Sequence, residues 1–262
     1  MRRTVARYPY LALKPLRSYL SCRWTVARRL QCIAYTYRLL GFVAPGWLSR
    51  INQSGGFELL RIDASFDSLT VRLCRDHRFR KEGEFVLALH NASSESRIMS
   101  LAFAFESTSH GTVCRIGAIQ GHTDAREEIR NVTKALHGLR PKALLVALMQ
   151  TLARELGCSA IQGVSLAIHP HARKYLVSGH GDRELHFDYD HTWSELGGEP
   201  RPDGWFNLPL SPHRRSRSDI PARKRASYQR RYELLDRVLR DAQAAAQSAA
   251  PVPVAAIRRA AA

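Results

Sequence analysis

The sequence predicts an α+β fold: an antiparallel sheet with two central helices, flanked by a basic helix at each end. Three observations carry this. Between residues 55 and 121, five β-rich runs are separated by hairpin-length polar breaks. From residue 124 to 157 the apolar period changes to that of a helix. The charge is split by position: residues 1–50 hold ten Arg or Lys and no acid, residues 51–210 hold 18 basic and 19 acidic, and residues 211–262 hold 12 basic and 4 acidic. The net charge of +17 therefore belongs to the two ends, and attraction to phosphates or anionic lipids belongs there too. A chain of 262 residues suits one domain with extensions. The division expected is a basic helical segment over 1–50, an α+β domain over 51–242 that includes a basic C-terminal helix, and a disordered Ala-rich tail over 243–262.

Taken in order, Arg17 to Leu40 shows helical spacing, with Leu20, Trp24, Ala27, Leu30, Ile33, Tyr37 and Leu40 on one stripe and Arg23, Arg28 and Arg29 largely off it. Such a helix either packs on the core with its arginines in water or lies on an anionic membrane surface. Phe57 to Ile62, Leu69 to Leu73, Glu84 to Leu89, Arg97 to Phe105 and Thr112 to Ile119 read as strands of a meander. Asp124 with Glu127 starts a helix that Gly138 stops. A second helix begins near Pro141, carries Leu144, Leu145, Leu148, Leu152 and Leu156, and ends at Gly157. Ala160 to Ile168 reads as a buried strand and Glu184 to Tyr189 as another. The last helix follows Pro221 along Tyr228, Tyr232, Leu235, Leu239 and Ala242, and the composition from Gln243 onward predicts fraying.

Five scattered cysteines form neither a disulfide framework nor a zinc ribbon. Charges interrupt the N-terminal region before a secretory leader develops, and no run is long and apolar enough to span a bilayer. The expectation is a reduced, soluble protein facing the cytoplasm, peripheral at a membrane if its basic ends bind lipid.

Thr133-Lys-Ala-Leu-His-Gly-Leu-Arg-Pro-Lys142, Asp188-Tyr-Asp-His-Thr-Trp193, Lys224-Arg-Ala-Ser-Tyr-Gln-Arg-Arg-Tyr232 and Ile119-Gln-Gly121 stand in an order that resembles the VirK/YbjX family. The resemblance covers about Tyr37 to Arg240. It implies a role in envelope physiology, virulence or tolerance of antimicrobial peptides, and it supplies no catalytic residue. The order of meander, helix and buried strand is also similar to the acyl-CoA-dependent N-acetyltransferase architecture, in which a Gly-rich loop at a helix start holds the cofactor diphosphate. Here Gly138, Arg140 and Lys142 occupy that place and make acyl-CoA the candidate cofactor, although the loop lacks its second glycine and an extra helix precedes it. The same residues also suit a plain turn between two helices.

His169, His171, Asp188, Asp190 and His191 are the residue types of a metal site or of acid/base groups. Equally, the histidines suit a surface strand end and the aspartates suit helix caps, and no resident metal is expected. Arg223, Lys224, Arg225, Arg230 and Arg231 form a basic face that fits an anionic surface. Nucleic acid is a weaker partner class, because the neutral body has no recognised binding motif.

Overall fold

A computed structural model describes residues 8–64, 68–123, 125–172 and 188–249. The fold is α+β. Eight strands form one sheet in the order β1-β2-β3-β4-β5-β6-β8-β7. The meander of β1 (Gly56–Asp63), β2 (Ser68–Cys74), β3 (Phe85–Asn91), β4 (Arg97–Thr108) and β5 (Gly111–Gly121) is antiparallel throughout. Then β6 (Ala160–Val164) pairs parallel to β5, so the sheet is mixed rather than wholly antiparallel. On its far side β6 meets β8 (Trp205–Leu208), which pairs with the two-residue β7 (Glu199–Pro200). A lateral polar row fixes this register: Arg115 bonds to Gln162, and Gln162 Nε2 donates to Asn207 at 2.8 Å. Arg115 is buried, paired with Glu106 at 2.5 Å and lying over the Trp205 ring, so its charge is compensated.

The N-terminal helix differs from its expected bounds. A short α1 (Tyr10–Leu13) and a 3-10 turn come first. From Arg17 to Trp24 the chain is an irregular strap, in which Leu20 has a left-handed φ of 56° and its N–H donates to the Lys81 carbonyl at 2.7 Å. Leu20 and Trp24 fit a helical stripe, but both are buried from this strap. The helix itself, α2 (Val26–Val43), starts where Thr25 Oγ1 accepts from the Arg28 N–H. Pro45 then opens α3 (Pro45–Ser54).

Between β5 and β6 lie α4 (Arg126–Ala135) and α5 (Pro141–Glu155). The run expected as a strand over Glu184 to Tyr189 falls mostly outside the described residues, and Tyr189 opens a helix, α6 (Tyr189–Glu195), because Asp188 caps it. The Ala160 to Ile168 strand stops at Val164 and turns into a 3-10 segment. The last helix, α7 (Arg225–Ala249), continues past Gln243: alanine is the best helix former, and Ala242 and Ala246 are buried four residues apart. Residues 250–262 lie outside the described residues. One apolar cluster runs from Leu11 to Ala246, joining α2, α5 and α7 to the sheet. Among the described residues no helix is long and apolar enough to cross a membrane.

Candidate functional site

The α4–α5 corner is built by local rules. Gly138 sits at φ +85° after His137 at +53°, and its N–H donates to Thr133 O at 2.7 Å, closing the end of α4. A side chain at 138 would collide with the Arg231 guanidinium, whose Nε donates to His137 O at 3.0 Å. Arg140 is extended ahead of Pro141, and Pro141 brings no N–H to the first turn of α5. Leu144 N–H reaches Arg140 O, and no side chain caps the amides of Lys142 and Ala143. Lys142 and Ala143, in the first turn of this 15-residue helix, line a cleft of about 470 Å³ together with Val146, Ala147 and Gln150 farther along the same helix. Its opposite wall comes from α7 and the segment before it: Tyr228, Arg231, Tyr232, His213 and Arg215.

The two cations read from the sequence are engaged. Lys142 Nζ lies 2.6 Å from Glu195 Oε2 and Arg140 lies 3.2 Å from Glu195 Oε1. Lys142 holds the Glu195 carboxyl below its usual range, with help from Arg140 and His191, against the effect of burial. An anion entering the cleft competes with Glu195, a residue that no sequence motif marks.

At the other end of α6 the histidines lie close together. His169 is fully buried and stacks on Tyr189 at 5.1 Å, and its Nδ1 accepts from the His171 N–H at 3.3 Å. Burial pushes His169 down to about 4, so the ring is neutral near pH 7. His171 is partly exposed, and its Nε2 lies 2.7 Å from Oε1 of Glu82, a buried carboxylate in the loop before β3. In the sequence Glu82 lies in a polar break between two strands, with nothing local to mark it as a site residue. The aspartates serve backbone amides: Asp188 Oδ1 accepts from His191 N–H and Asp190 Oδ1 from Leu166 N–H, each at 2.9 Å. His191 is exposed, 3.4 Å from Glu195. Among the described residues, no group of three His, Cys, Asp or Glu side chains is arranged to hold a metal ion. Burial raises the Cys32 and Cys114 thiols well above their ordinary value and lifts Cys158 to about 12, which disfavours a thiolate nucleophile at any of the three.

The basic residues of α7 divide. Arg231 turns inward onto the α4 terminus and lies over the Tyr228 ring, and Arg225 Nε donates to Ile220 O at 3.2 Å. Arg223, Lys224 and Arg230 face outward.

The four segments that carry the family resemblance meet around this region. Gln120 Nε2 donates to the Tyr189 hydroxyl at 3.1 Å, Lys142 Nζ approaches Thr192 Oγ1 at 3.5 Å, and Ser227 and Arg231 both donate to His137 O. A family model described as "Protein of unknown function (DUF535)" matches residues 1–244. The chain belongs to the DUF535 family. YbjX of Escherichia coli K12, an uncharacterized protein, is 28% identical over 240 residues, covering 89% of this chain and 71% of YbjX. An uncharacterized protein of Haemophilus influenzae is 34% identical over 179 residues, 68% of this chain and 58% of its own, and a second from the same organism is 33% identical over 157 residues, 59% and 50%. This DUF535 chain thus matches only half to about seven-tenths of these relatives' lengths. Two mutants of a cAMP-binding acyltransferase from Mycobacterium smegmatis align over 86% and 82% of the chain, and over 62% and 59% of their own, with TM-scores of 0.37 and 0.38 and 11% identity. A likeness at this level is too loose to define an activity.

Proposed function

We propose that this DUF535 protein is an acyl-CoA-dependent acyltransferase whose cofactor diphosphate is held at the start of α5. One observation carries the reading: the first turn of α5, which has no side-chain cap, lines a cleft walled by Arg215, Arg231 and two tyrosine rings. Amides and cations suit a diphosphate, and the rings offer an adenine a surface to stack on. CoA would supply an activated thioester, and the residues of this chain would bind it and manage protons. The seven residues of α6 span about 9 Å from the cleft to the histidine pair. The thioester and diphosphate of an acyl-CoA are separated by an extended arm, so two stations joined by a helix fit that shape. At the second station His171, oriented by buried Glu82, would take the proton of an attacking amine or hydroxyl and pass it to the departing thiolate as the new acyl bond replaces the thioester. The envelope role that the family resemblance implies, in virulence or antimicrobial-peptide tolerance, corresponds in this reading to acylation of an envelope component from the cytoplasmic side.

The test is calorimetric titration of acetyl-CoA and a long-chain acyl-CoA into wild type and an Arg140→Ala, Lys142→Ala double variant. Each charge-assisted contact contributes about 1.5 to 3 kcal/mol, so the double variant should bind more weakly by about a hundredfold or more. His171→Gln should bind as wild type does and lose turnover. No heat from wild type at millimolar ligand would sink the proposal, and undiminished binding by the double variant would move the ligand elsewhere.

A further inference from the structure

Among the described residues seven large apolar side chains are exposed, and six of them lie between residues 10 and 42, in the segment that has no acid. Leu13 and Leu16 are 62% and 66% exposed. Scattered exposed apolar residues mean little, whereas a row of them beside cations is the composition of a bilayer interface. Between the turn Tyr10–Leu16 and the loop His77–Lys81 lies a depression of about 330 Å³, lined by Tyr10, Leu13, Arg17, His77, Arg80 and Lys81. No carboxylate lines it. Three neighbouring acids are engaged: Asp76 by Arg78 at 2.8 Å and by Arg97, Glu82 by His171 at 2.7 Å, and Glu84 by Lys14 at 2.5 Å and by the Tyr37 hydroxyl at 2.6 Å.

The two walls are held in place relative to each other. Lys14 belongs to the turn, and its Nζ also donates to Gly83 O at 2.9 Å, fastening the turn to the segment that follows the loop. Arg29 Nη1 donates to Pro15 O at 3.4 Å, tying the turn to α2, where Val26 and Leu30 are exposed one helical turn apart.

We propose that the turn Tyr10–Leu16 and the loop His77–Lys81 form a docking face for an anionic lipid bilayer, with Leu13 and Leu16 entering the acyl boundary and Arg17 and Arg80 meeting headgroup phosphates. The two most exposed apolar side chains of this face, Leu13 and Leu16, offer a nucleic acid no ring to stack on and suit acyl chains, which favours the bilayer over a nucleic acid. The outward cations of α7 lie on a different element and are not part of this face.

The experiment is co-sedimentation of the full chain with vesicles of phosphatidylcholine alone or with a minority of phosphatidylglycerol. Wild type should bind the anionic vesicles only, and salt should weaken binding. An Arg17→Gln, Arg80→Gln variant and a Leu13→Gln, Leu16→Gln variant should each lose about tenfold or more in partitioning. All four positions are exposed, so both variants should fold, and unchanged circular dichroism checks this. An Arg223→Gln, Lys224→Gln, Arg230→Gln variant should bind as wild type does. Equal binding to neutral vesicles, retention by either N-terminal variant, loss confined to the α7 variant, or displacement by duplex DNA at equal phosphate would each overturn the proposal.

Discussion

Acidification from pH 7 to pH 4.5 should destabilise this protein through His169, with His90, also held below its ordinary value by burial, adding in the same direction. His169 is fully buried against Tyr189, and burial pushes it from an ordinary value near 6.5 down to about 4. In that interval the unfolded chain takes up a proton that the native ring refuses, so stability falls as pH falls through 6.5 and levels off below about 4. Working the two values through the linkage relation gives a loss of about 2.5 kcal/mol between pH 7 and 4.5. Asp76 does not confuse the window. Burial alone would raise its carboxyl, but hydrogen bonds from Arg78 and Arg97 hold it well below its usual range, so its contribution is lost only under more acid conditions. The comparison is His169→Phe, which keeps a ring on Tyr189 and removes the titration. Urea unfolding at several pH values should show a steep wild-type profile and a flatter variant profile. Parallel profiles would refute the reasoning.

Three further expectations concern single contacts, two of them buried. Glu84→Gln leaves the Lys14 ammonium buried without its counter-charge and should cost about 3 kcal/mol in chemical unfolding, while Lys14→Met with Glu84→Gln should recover most of it. Gly117→Ala drives a methyl into the Glu82 carbonyl and should cost about 3 kcal/mol, shifting the carboxylate that orients His171; a wild-type melting temperature would contradict this. Glu195→Gln releases Lys142 and Arg140 and should strengthen inorganic diphosphate binding by about tenfold in calorimetry, whereas weaker binding would show that Glu195 arranges the cations rather than competing for them.

The sequence was most legible where the signal is local. The strands β1 to β5 fall within about three residues of the runs read for them, because alternation and polar breaks are set by neighbours in the chain. Pro141 and Gly157 likewise bracket α5 as expected. Tertiary contacts hid the rest. Leu20 and Trp24 match a helical stripe yet are buried from a strap, since the Leu20 N–H bonds to Lys81 rather than within a helix. The four-residue β8 gains its partners only once β6 is present. An alanine-rich run looked featureless because the packing of Ala242 and Ala246 leaves no trace in composition. At the site, the corner Gly138 to Lys142 was visible, but Glu82 and Glu195 were not: each matters through a residue 89 or 53 positions away.

The parallel pairing of β5 with β6 also bears on how the chain folds. Each hairpin of the meander closes a short loop, but β6 cannot join until α4 and α5 have returned the chain to the sheet, so its contacts are non-local and carry a larger closure entropy. We expect the transition state to hold the meander and to lack the β6–β8 edge. Leu87→Ala in β3 should then slow refolding, and Ile161→Ala in β6 should mainly speed unfolding. A chevron in which Ile161→Ala slows refolding as much as Leu87→Ala does would put the crossover in the nucleus instead.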